Sequence, residues 1–458
     1  MSHLEQLKPN ILFIVVDSLR SDKCIDSTKT SITPNIDFLT KNGVSFSQTI
    51  STVATTIPSL GSIFSGNFPN KAGLSVEKFD QLNLDSPNYL RTLQQYGYNT
   101  YATMPEIATD FGLICDFKNS DSSYDNYFGL FKGLGNKILE KLSSKEFQSP
   151  WFLYVHLFDL HTPIVLPDEY KDEKFGESNY EKMISAIDYW LGEIINEIDL
   201  EKTLIVITAD HGEYVPVIRY DNELLNFESS DSESKLWMMG NKVPPKLYPI
   251  KKKVANVLRA MRTNSKKSKL ENLSLTKYQK RVLLESRMTE GHRMYDDLLK
   301  VPFLIAGPGI PKNKTISQQV RHVDIFPTIA ELVEVKLDFA TDGISLLPLI
   351  NGEDVDELPA YIESPPTITG DLKKVIGIRT SEFKFLKSLD GTKTVFELYD
   401  LKNDPLEENN IVETSSEIIS SLNKQLSKLI SNNISPKQNL SDTKKQEIRE
   451  KLKKLGYA

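Results

Sequence analysis

Cysteine is nearly missing from this chain. Two residues, Cys24 and Cys115, in 458 exclude a disulfide scaffold and any cysteine-rich metal site. Long apolar runs are missing too. The longest, Ile11–Val16, falls far short of the ~18 residues that a membrane-spanning helix needs. It is also too short for the apolar core of a secretory signal, and Asp17 follows it directly, so the expected compartment is the cytoplasm. No excess of positive charge is present: 55 Lys and Arg stand against 62 Asp and Glu, a net charge of −7. A chain of that balance is not built as a whole to bind nucleic acid. What is there is an ordinary mixture, 39% hydrophobic, 9% aromatic and 26% charged, which excludes a wholly disordered or fibrous protein. The length exceeds one ordinary core, so a large domain with a smaller appendage, or two domains, is expected.

The run Ile11–Val16 reads as a buried strand ending at Asp17. Continuous β-branched runs suit a central parallel strand that is covered on both faces. Similar runs recur at 151–157, 203–208 and 301–306. Helical patterns fall between them, at 35–42, 59–65, 89–96, 180–198 and 324–333. This alternation predicts an α/β fold with a doubly wound, mainly parallel sheet and helices on both faces. Ligands of such sheets sit beyond the carboxyl ends of the strands, where Asp17, His156, His161, Asp210 and His211 would lie. The composition changes over 221–290. An acidic patch precedes a basic segment, 242–290, with 14 Lys and Arg against 3 Asp and Glu, and the whole reads as a charged, partly helical insertion. After Gly352 the pattern turns antiparallel: 375–380, 383–388 and 394–399 alternate, with Asp390-Gly391 as a hairpin turn. A helix at 415–431, a polar linker and a charged helix at 441–455 complete the chain. The domains expected are thus a catalytic domain at 1–352, a small α+β subdomain at 353–432 with an antiparallel sheet and a helix, and a terminal linker and helix at 433–458.

Two strand ends carry carboxylates, Asp17 and Asp210, and the second is followed by His211. Asp and His together suit a divalent cation of borderline hardness, such as Zn²⁺ or Mn²⁺. The glycine at 212 lets the backbone turn away from such a pair. Between them lies Thr56, just before Pro58 at the start of a predicted helix. Metal coordination lowers a hydroxyl pKa, and a helix N-terminus favours an incoming anion.

With these residues in place the sequence resembles the sulfatase family of the alkaline phosphatase superfamily. The matching stretches are PNILFIVVDSLR at 9–20, TPNID at 33–37, TIPS at 56–59, FLYVHLFDLHTP at 152–163 and TADHGE at 208–213. They continue with GH at 291–292, YD at 295–296, VP at 301–302, DIFPT at 324–328 and DGISL at 342–346. The tail adds ELYDL at 397–401, DP at 404–405 and LGY at 455–457. Each is weak alone; together, in family order, they are specific. The resemblance implies an alkaline-phosphatase-like fold and a metal-dependent ester hydrolase. Asp17, Asp210 and His211 would be metal ligands, and Thr56 both a ligand and the nucleophile. His161 and His156 would contact the ester. His292 would bind the ester oxygens, protonate the leaving group, or hold a second metal together with Asp159 and His161.

Two departures bear on the chemistry. Sulfatases carry a Cys or Ser in Cys/Ser-x-Pro-x-Arg that is oxidised to formylglycine, but here the stretch is Thr56-Ile-Pro-Ser-Leu60. A formylglycine hydrate expels sulfate by collapsing to the aldehyde, whereas a threonine sulfate has no such exit. A phosphothreonine can be attacked at phosphorus, so the chemistry favours a phosphoester. The second departure is Ser18, where many sulfatases hold calcium with a second aspartate; its absence favours Mn²⁺ or Zn²⁺ over Ca²⁺ or Mg²⁺.

Plainer roles stand beside these. Thr56 could cap its helix, His156 could be a packed strand histidine, and Arg20 could bind the anionic substrate or pair with Asp22. The basic stretch could be a solvated surface or a lid. The readings carried forward are a hydrolase of a small-molecule or glycan-linked sulfate or phosphate ester, a phosphotransferase acting on a glycan or lipid alcohol, and a non-catalytic binding protein.

Overall fold

The computed structural model describes residues 8–72, 88–109, 117–126, 128–144, 146–230, 233–234, 248–285, 294–365, 374–388 and 394–431. Its strands are β1 (Asn10–Val16), β2 (Gly43–Ile50), β3 (Asn99–Pro105), β4 (Ser123–Tyr124), β5 (Trp151–Leu157) and β6 (Thr203–Thr208). A hairpin of β7 (Val217–Tyr220) and β8 (Glu223–Asn226) follows, then β9 (Lys300–Ala306), β10 (Lys314–Ile316) and β11 (Val320–Arg321). The central sheet runs β10-β2-β9-β6-β1-β5-β3-β4, with β11 also on β2. All its pairings are parallel except the two made by β9, which lies antiparallel between β2 and β6. The sheet is mainly parallel, as the alternation of strands and helices predicts.

β1 shows why the run Ile11–Val16 lacks polar residues. Ile11, Phe13 and Val15 enter one core layer with Ile57, Leu60 and Phe64 of the Thr56–Ser65 helix. Leu12, Ile14 and Val16 enter the other with Ile184, Ile187 and Leu191 of the Asn179–Asn196 helix. Successive side chains point to opposite faces, so a strand covered twice must be apolar throughout. The pattern breaks only where the strand leaves the sandwich, at Asp17. In the register Val15 faces His156 of β5 on one side and Thr208 of β6 on the other. The carboxyl ends of these three strands therefore lie side by side.

Beyond the main sheet, β12 (Ala360–Glu363), β13 (Val375–Arg379), β14 (Phe383–Ser388) and β15 (Phe396–Asp400) form an antiparallel sheet. The Ser416–Ser431 helix packs Leu422 and Leu426 against its Ile378, Phe385 and Leu398. The expected hairpin turn at 390–391 and helix at 441–455 lie outside the described residues. The stretch 221–290 does hold helices, at Tyr248–Leu270 and Lys277–Leu284. Among the described residues no helix is long and apolar enough to cross a membrane.

A buried ion cluster joins the small sheet to the segment that opens β9. Lys384 is fully buried. Its Nζ lies 2.6 Å from both Asp296 Oδ1 and Glu407 Oε1 and donates to the Met294 carbonyl at 2.9 Å. Arg379 reaches Asp296 Oδ2 at 2.8 Å. Burial opposes the charge on Asp296, but Arg379 and Lys384 outweigh it and hold this carboxyl well below its usual range. Such clusters are costly to break from one side, because the remaining charge stays desolvated. Lys384→Met is expected to destabilise the protein by roughly 3–5 kcal/mol, read as a fall in the urea midpoint without a change in slope.

Asp159 carries a second, half-buried charge with no comparable ion cluster around it among the described residues. Its Oδ1 accepts the Leu130 N–H at 2.9 Å, but burial dominates and raises its pKa from 3.8 to about 6. A folded-state pKa above the unfolded value gives stability that is complete below the unfolded pKa and is lost as pH rises through the folded one. The window is pH 4 to 6. Asp159→Asn keeps an acceptor without the charge. Relative to the parent it should gain roughly 2 kcal/mol in unfolding free energy at pH 7 over its value at pH 4, measured by urea titration at the two pH values.

Candidate active site

Three strand ends and one helix start build the site. Asp17 follows β1, His156 sits near the end of β5, and Asp210 follows β6; all three are fully buried. One ligand atom from each lies within 4.8 Å of the others. His156 Nε2 is 3.7 Å from Asp17 Oδ2. Two buried carboxylates this close repel each other, and a buried cation is what offsets such repulsion. The donor set of two carboxylates and an imidazole fits a divalent ion of the Mn²⁺ or Zn²⁺ type.

Thr56 stands at the first position of its helix. The residue in the N-cap place is Thr55, with extended backbone and no capping side-chain bond. Thr56 instead directs its hydroxyl out of the helix and donates to Asp17 Oδ2 at 3.1 Å. The hydroxyl is 2% exposed as part of its residue, so it points at the carboxylate and not at solvent. It also lies at the positive end of the helix dipole, where an anion is favoured.

Ser18 orients both carboxylates. Its N–H donates to Asp210 Oδ1 at 2.9 Å and its hydroxyl bonds Asp17 Oδ1. This requires a left-handed backbone at Ser18, φ 65°, uncommon for a residue with a side chain. The serine at this departure from the family pattern thus has a structural task of its own. His211 is oriented as well: its N–H donates to Asp210 Oδ1 at 2.8 Å, and its Nδ1 donates to the Gly212 carbonyl at 2.8 Å. A carbonyl only accepts, so Nδ1 carries the proton and Nε2, 3.4 Å from Asp210 Oδ2, holds the lone pair. Gly212 is required for a different reason than a turn. A Cβ there would meet the Asp297 carbonyl oxygen at 2.2 Å, and the Gly212 N–H donates to Leu298 O at 2.8 Å.

The support behind Asp210 was not visible in the sequence. Ser51 and Ser59 donate to its carbonyl at 2.7 and 2.5 Å. Ser59 Oγ also lies 3.1 Å from Nδ1 of His322, which burial keeps neutral with a pKa near 3, against a backbone hydrogen bond with Ala209. On the other side Tyr154 Oη lies 2.9 Å from His156 Nδ1. To ligate through Nε2, His156 must carry its proton on Nδ1, where Tyr154 oxygen can accept it.

The remaining candidates are placed as follows. Arg20 is buried. It pairs with Asp22 at 2.9 Å and Asp297 at 2.7 Å and donates to the Glu213 carbonyl at 3.2 Å. Burial works against its charge, but Asp22 and Asp297 prevail and hold it protonated. Its pairing with Asp22 is present, and its bond to the Glu213 carbonyl steadies the loop after His211. His161 stacks on Phe158 at 4.2 Å between centroids and lines a 70 Å³ cavity with Asp159 and Lys132. It is not among the clustered ligand atoms of Asp17, His156 and Asp210. His156, expected at the ester, is among them. His292 lies outside the described residues, and with it the second-metal trio of Asp159, His161 and His292.

Comparison with known proteins agrees with this architecture. A family model described as Sulfatase matches residues 9–335, and one described as N-sulphoglucosamine sulphohydrolase, C-terminal, matches 285–432. Arylsulfatase K of Rattus norvegicus is 23% identical over 464 residues, covering 92% of this chain and 78% of its own. The ulvan-active sulfatase of Formosa agariphila is 23% identical, covering 93% and 82%. The solved phosphonate monoester hydrolase of Agrobacterium radiobacter superposes with a TM-score of 0.67 at 16% identity, covering 93% of this chain and 96% of its own. The chain belongs to the sulfatase family, metal-dependent enzymes that hydrolyse sulfate esters.

Proposed function

We propose that this member of the family uses Thr56 as its nucleophile and that its ester is a phosphate or phosphonate carried on a small molecule or a glycan. The observation behind the reading is the Thr56 hydroxyl, 3.1 Å from Asp17 Oδ2 inside a buried cluster with His156 and Asp210. A residue serving only as a cap would turn that oxygen back to its own helix.

A divalent cation held by Asp17, Asp210, His211 or His156, and Thr56 would supply a lowered hydroxyl pKa and neutralise charge on the ester oxygens. The chain's own residues do the rest. The Thr56 proton leaves along its bond to Asp17. Thr56 Oγ1 attacks phosphorus in line, the new P–O bond forms, and the bond to the substrate alcohol breaks. The departing oxygen takes a proton from His161 or His292 as general acid. Water then attacks the phosphothreonine, giving a proton to that histidine; the P–O bond to Thr56 breaks, phosphate leaves, and Thr56 takes its proton back from Asp17. Positioning and electrostatic stabilisation carry most of such a reaction.

Sulfate fits this chemistry less well. Without an aldehyde hydrate, a sulfothreonine must be resolved by attack at sulfur. The phosphonate monoester hydrolase shares the fold with this chain, which supports the reading, although fold alone does not fix the substrate.

The test is a panel of aryl phosphate, phosphodiester, phosphonate and sulfate esters assayed with Mn²⁺, Zn²⁺, Mg²⁺ and Ca²⁺. Turnover should be highest on a phosphorus ester with Mn²⁺ or Zn²⁺. Thr56→Ala should lose about 10³-fold or more in kcat, while Thr56→Ser, which keeps the hydroxyl, retains measurable activity. Best turnover on sulfate, with Thr56→Ala at full rate, would remove the nucleophile from this account.

A further inference from the structure

The charged insertion is joined to the catalytic loops through one of its helices. The Lys277–Leu284 helix packs Leu283, fully buried, with Ile218, Tyr220 and Leu225 of the β7–β8 hairpin. Tyr278 and Arg281, three residues apart, share a different face. That face meets Asp297, in the segment that opens β9. The Tyr278 hydroxyl donates to Asp297 Oδ1 at 3.3 Å, and the Arg281 guanidinium lies 3.6 Å from Oδ2. Arg281 is held by other groups as well. It covers the Tyr295 ring at 3.6 Å from the centroid and donates to the Leu406 and Glu407 carbonyls at 2.7 and 3.0 Å. The Tyr278 N–H adds a bond to Glu408 at 2.7 Å, so the helix is pinned to the loop after β15.

Asp297 is buried, and the catalytic loops meet it too. Arg20, three residues after Asp17, places its guanidinium 2.7 Å from Asp297 Oδ1 and donates to the Glu213 carbonyl at 3.2 Å. The backbone of the same segment seats the other loop. Gly212 presses on the Asp297 carbonyl, and its N–H donates to the Leu298 carbonyl at 2.8 Å. One residue therefore holds the loop that carries Asp17 through its side chain and the loop that carries Asp210 through its backbone. Arg20 and Tyr278 engage one carboxylate oxygen and Arg281 the other. In buried surroundings that carboxylate cannot turn without leaving a charge or a donor without its partner, which is costly.

We propose that Asp297 is a positioning residue for the reaction, and that Tyr278 and Arg281 make the insertion a strut that holds it against both loops bearing the clustered carboxylates. The three act through the placement of Asp17 and Asp210, not on the ester. This rests on the cation cluster of the proposed site, but the placement can be read without cation or substrate. The N–H groups of Ser18 and His211 bond Asp210, and that of Gly212 bonds Leu298. Their exchange with solvent follows the local opening of these loops.

The experiment compares the full chain with its Asp297→Asn, Arg281→Gln, Arg281→Lys and Leu426→Ala proteins, all kept well below their thermal midpoints. Leu426→Ala is the control, because it opens a cavity under the Ser416–Ser431 helix and destabilises the fold without touching Asp297. Hydrogen exchange read by mass spectrometry over 17–22 and 210–214 should quicken at least about tenfold in Asp297→Asn and Arg281→Gln. Arg281→Lys, which keeps the charge, should stay nearer the parent. Mn²⁺ titrated calorimetrically should bind the first two about 10- to 100-fold more weakly. Leu426→Ala should lower the midpoint and leave both readouts within about twofold of the parent. Unchanged exchange in Asp297→Asn and Arg281→Gln would overturn the assignment, and so would equal losses in Leu426→Ala. A parent that binds no Mn²⁺ would count against the cation site, while the exchange result still decides the role of Asp297.

Discussion

Two carboxylates, Asp17 and Asp210, are driven out of water at the ends of neighbouring strands, and the rest of the site follows from that burial. The parallel pairing of β1 with β5 and β6 brings their carboxyl ends level. The apolar helices on both faces leave no solvent to screen what is placed there. A pair of buried anions is unfavourable unless cationic or hydrogen-bonding partners are supplied. The structure supplies the second kind from its own backbone and hydroxyls: Ser18 on both carboxylates and the His211 N–H on Asp210, with Ser51 and Ser59 fixing the Asp210 backbone. The first kind is what a divalent cation would add. Thr56 is aimed into this field, and the nucleophilic role proposed for it rests on that placement.

The shell around the cluster is rigid in a specific sense. Arg20 ties the loop after β1 to Asp297 and to the Glu213 carbonyl. Gly212 lets that loop press against the Asp297–Leu298 backbone with no room for a side chain. Lys384 and Arg379, from the small sheet, hold Asp296 next door. The small antiparallel sheet is therefore coupled through buried charge to the segment that packs against the loop after Asp210. Ligand orientation of this kind, set by residues behind the reacting groups, is what keeps a site within the geometry that catalysis needs.

Much of this was legible in the sequence where one physical pattern dominated. β1, β5, β6 and β9 read as strands because both of their faces are covered. The helices expected at 59–65 and 180–198 are present, the first beginning three residues earlier, at Thr56, and the second spanning Asn179–Asn196. β2 did not, because Ser45, Ser47 and Gln48 face short neighbours at the sheet's edge and dilute its apolar signal. The antiparallel direction of β9 is invisible in a run such as VPFLIA, since burial on two faces looks the same in either direction. Asp17 and Asp210 were legible as polar residues ending apolar strands. The tasks of Ser18, Tyr154 and His322 were not, for these are contacts between residues far apart in the chain, and no local pattern announces them. The glycine at 212 was legible as necessary, though the cause is close packing and not a turn.

The account makes one demand above all: Asp17, Asp210 and the Thr56 hydroxyl must share a cation. Crystals grown with Mn²⁺ and measured at its absorption edge test this directly. The account predicts one anomalous peak within roughly 2.0–2.3 Å of a carboxylate oxygen of Asp17, one of Asp210, and Thr56 Oγ1. A peak elsewhere, or one at the carboxylates with the Thr56 oxygen outside the coordination sphere, would contradict it.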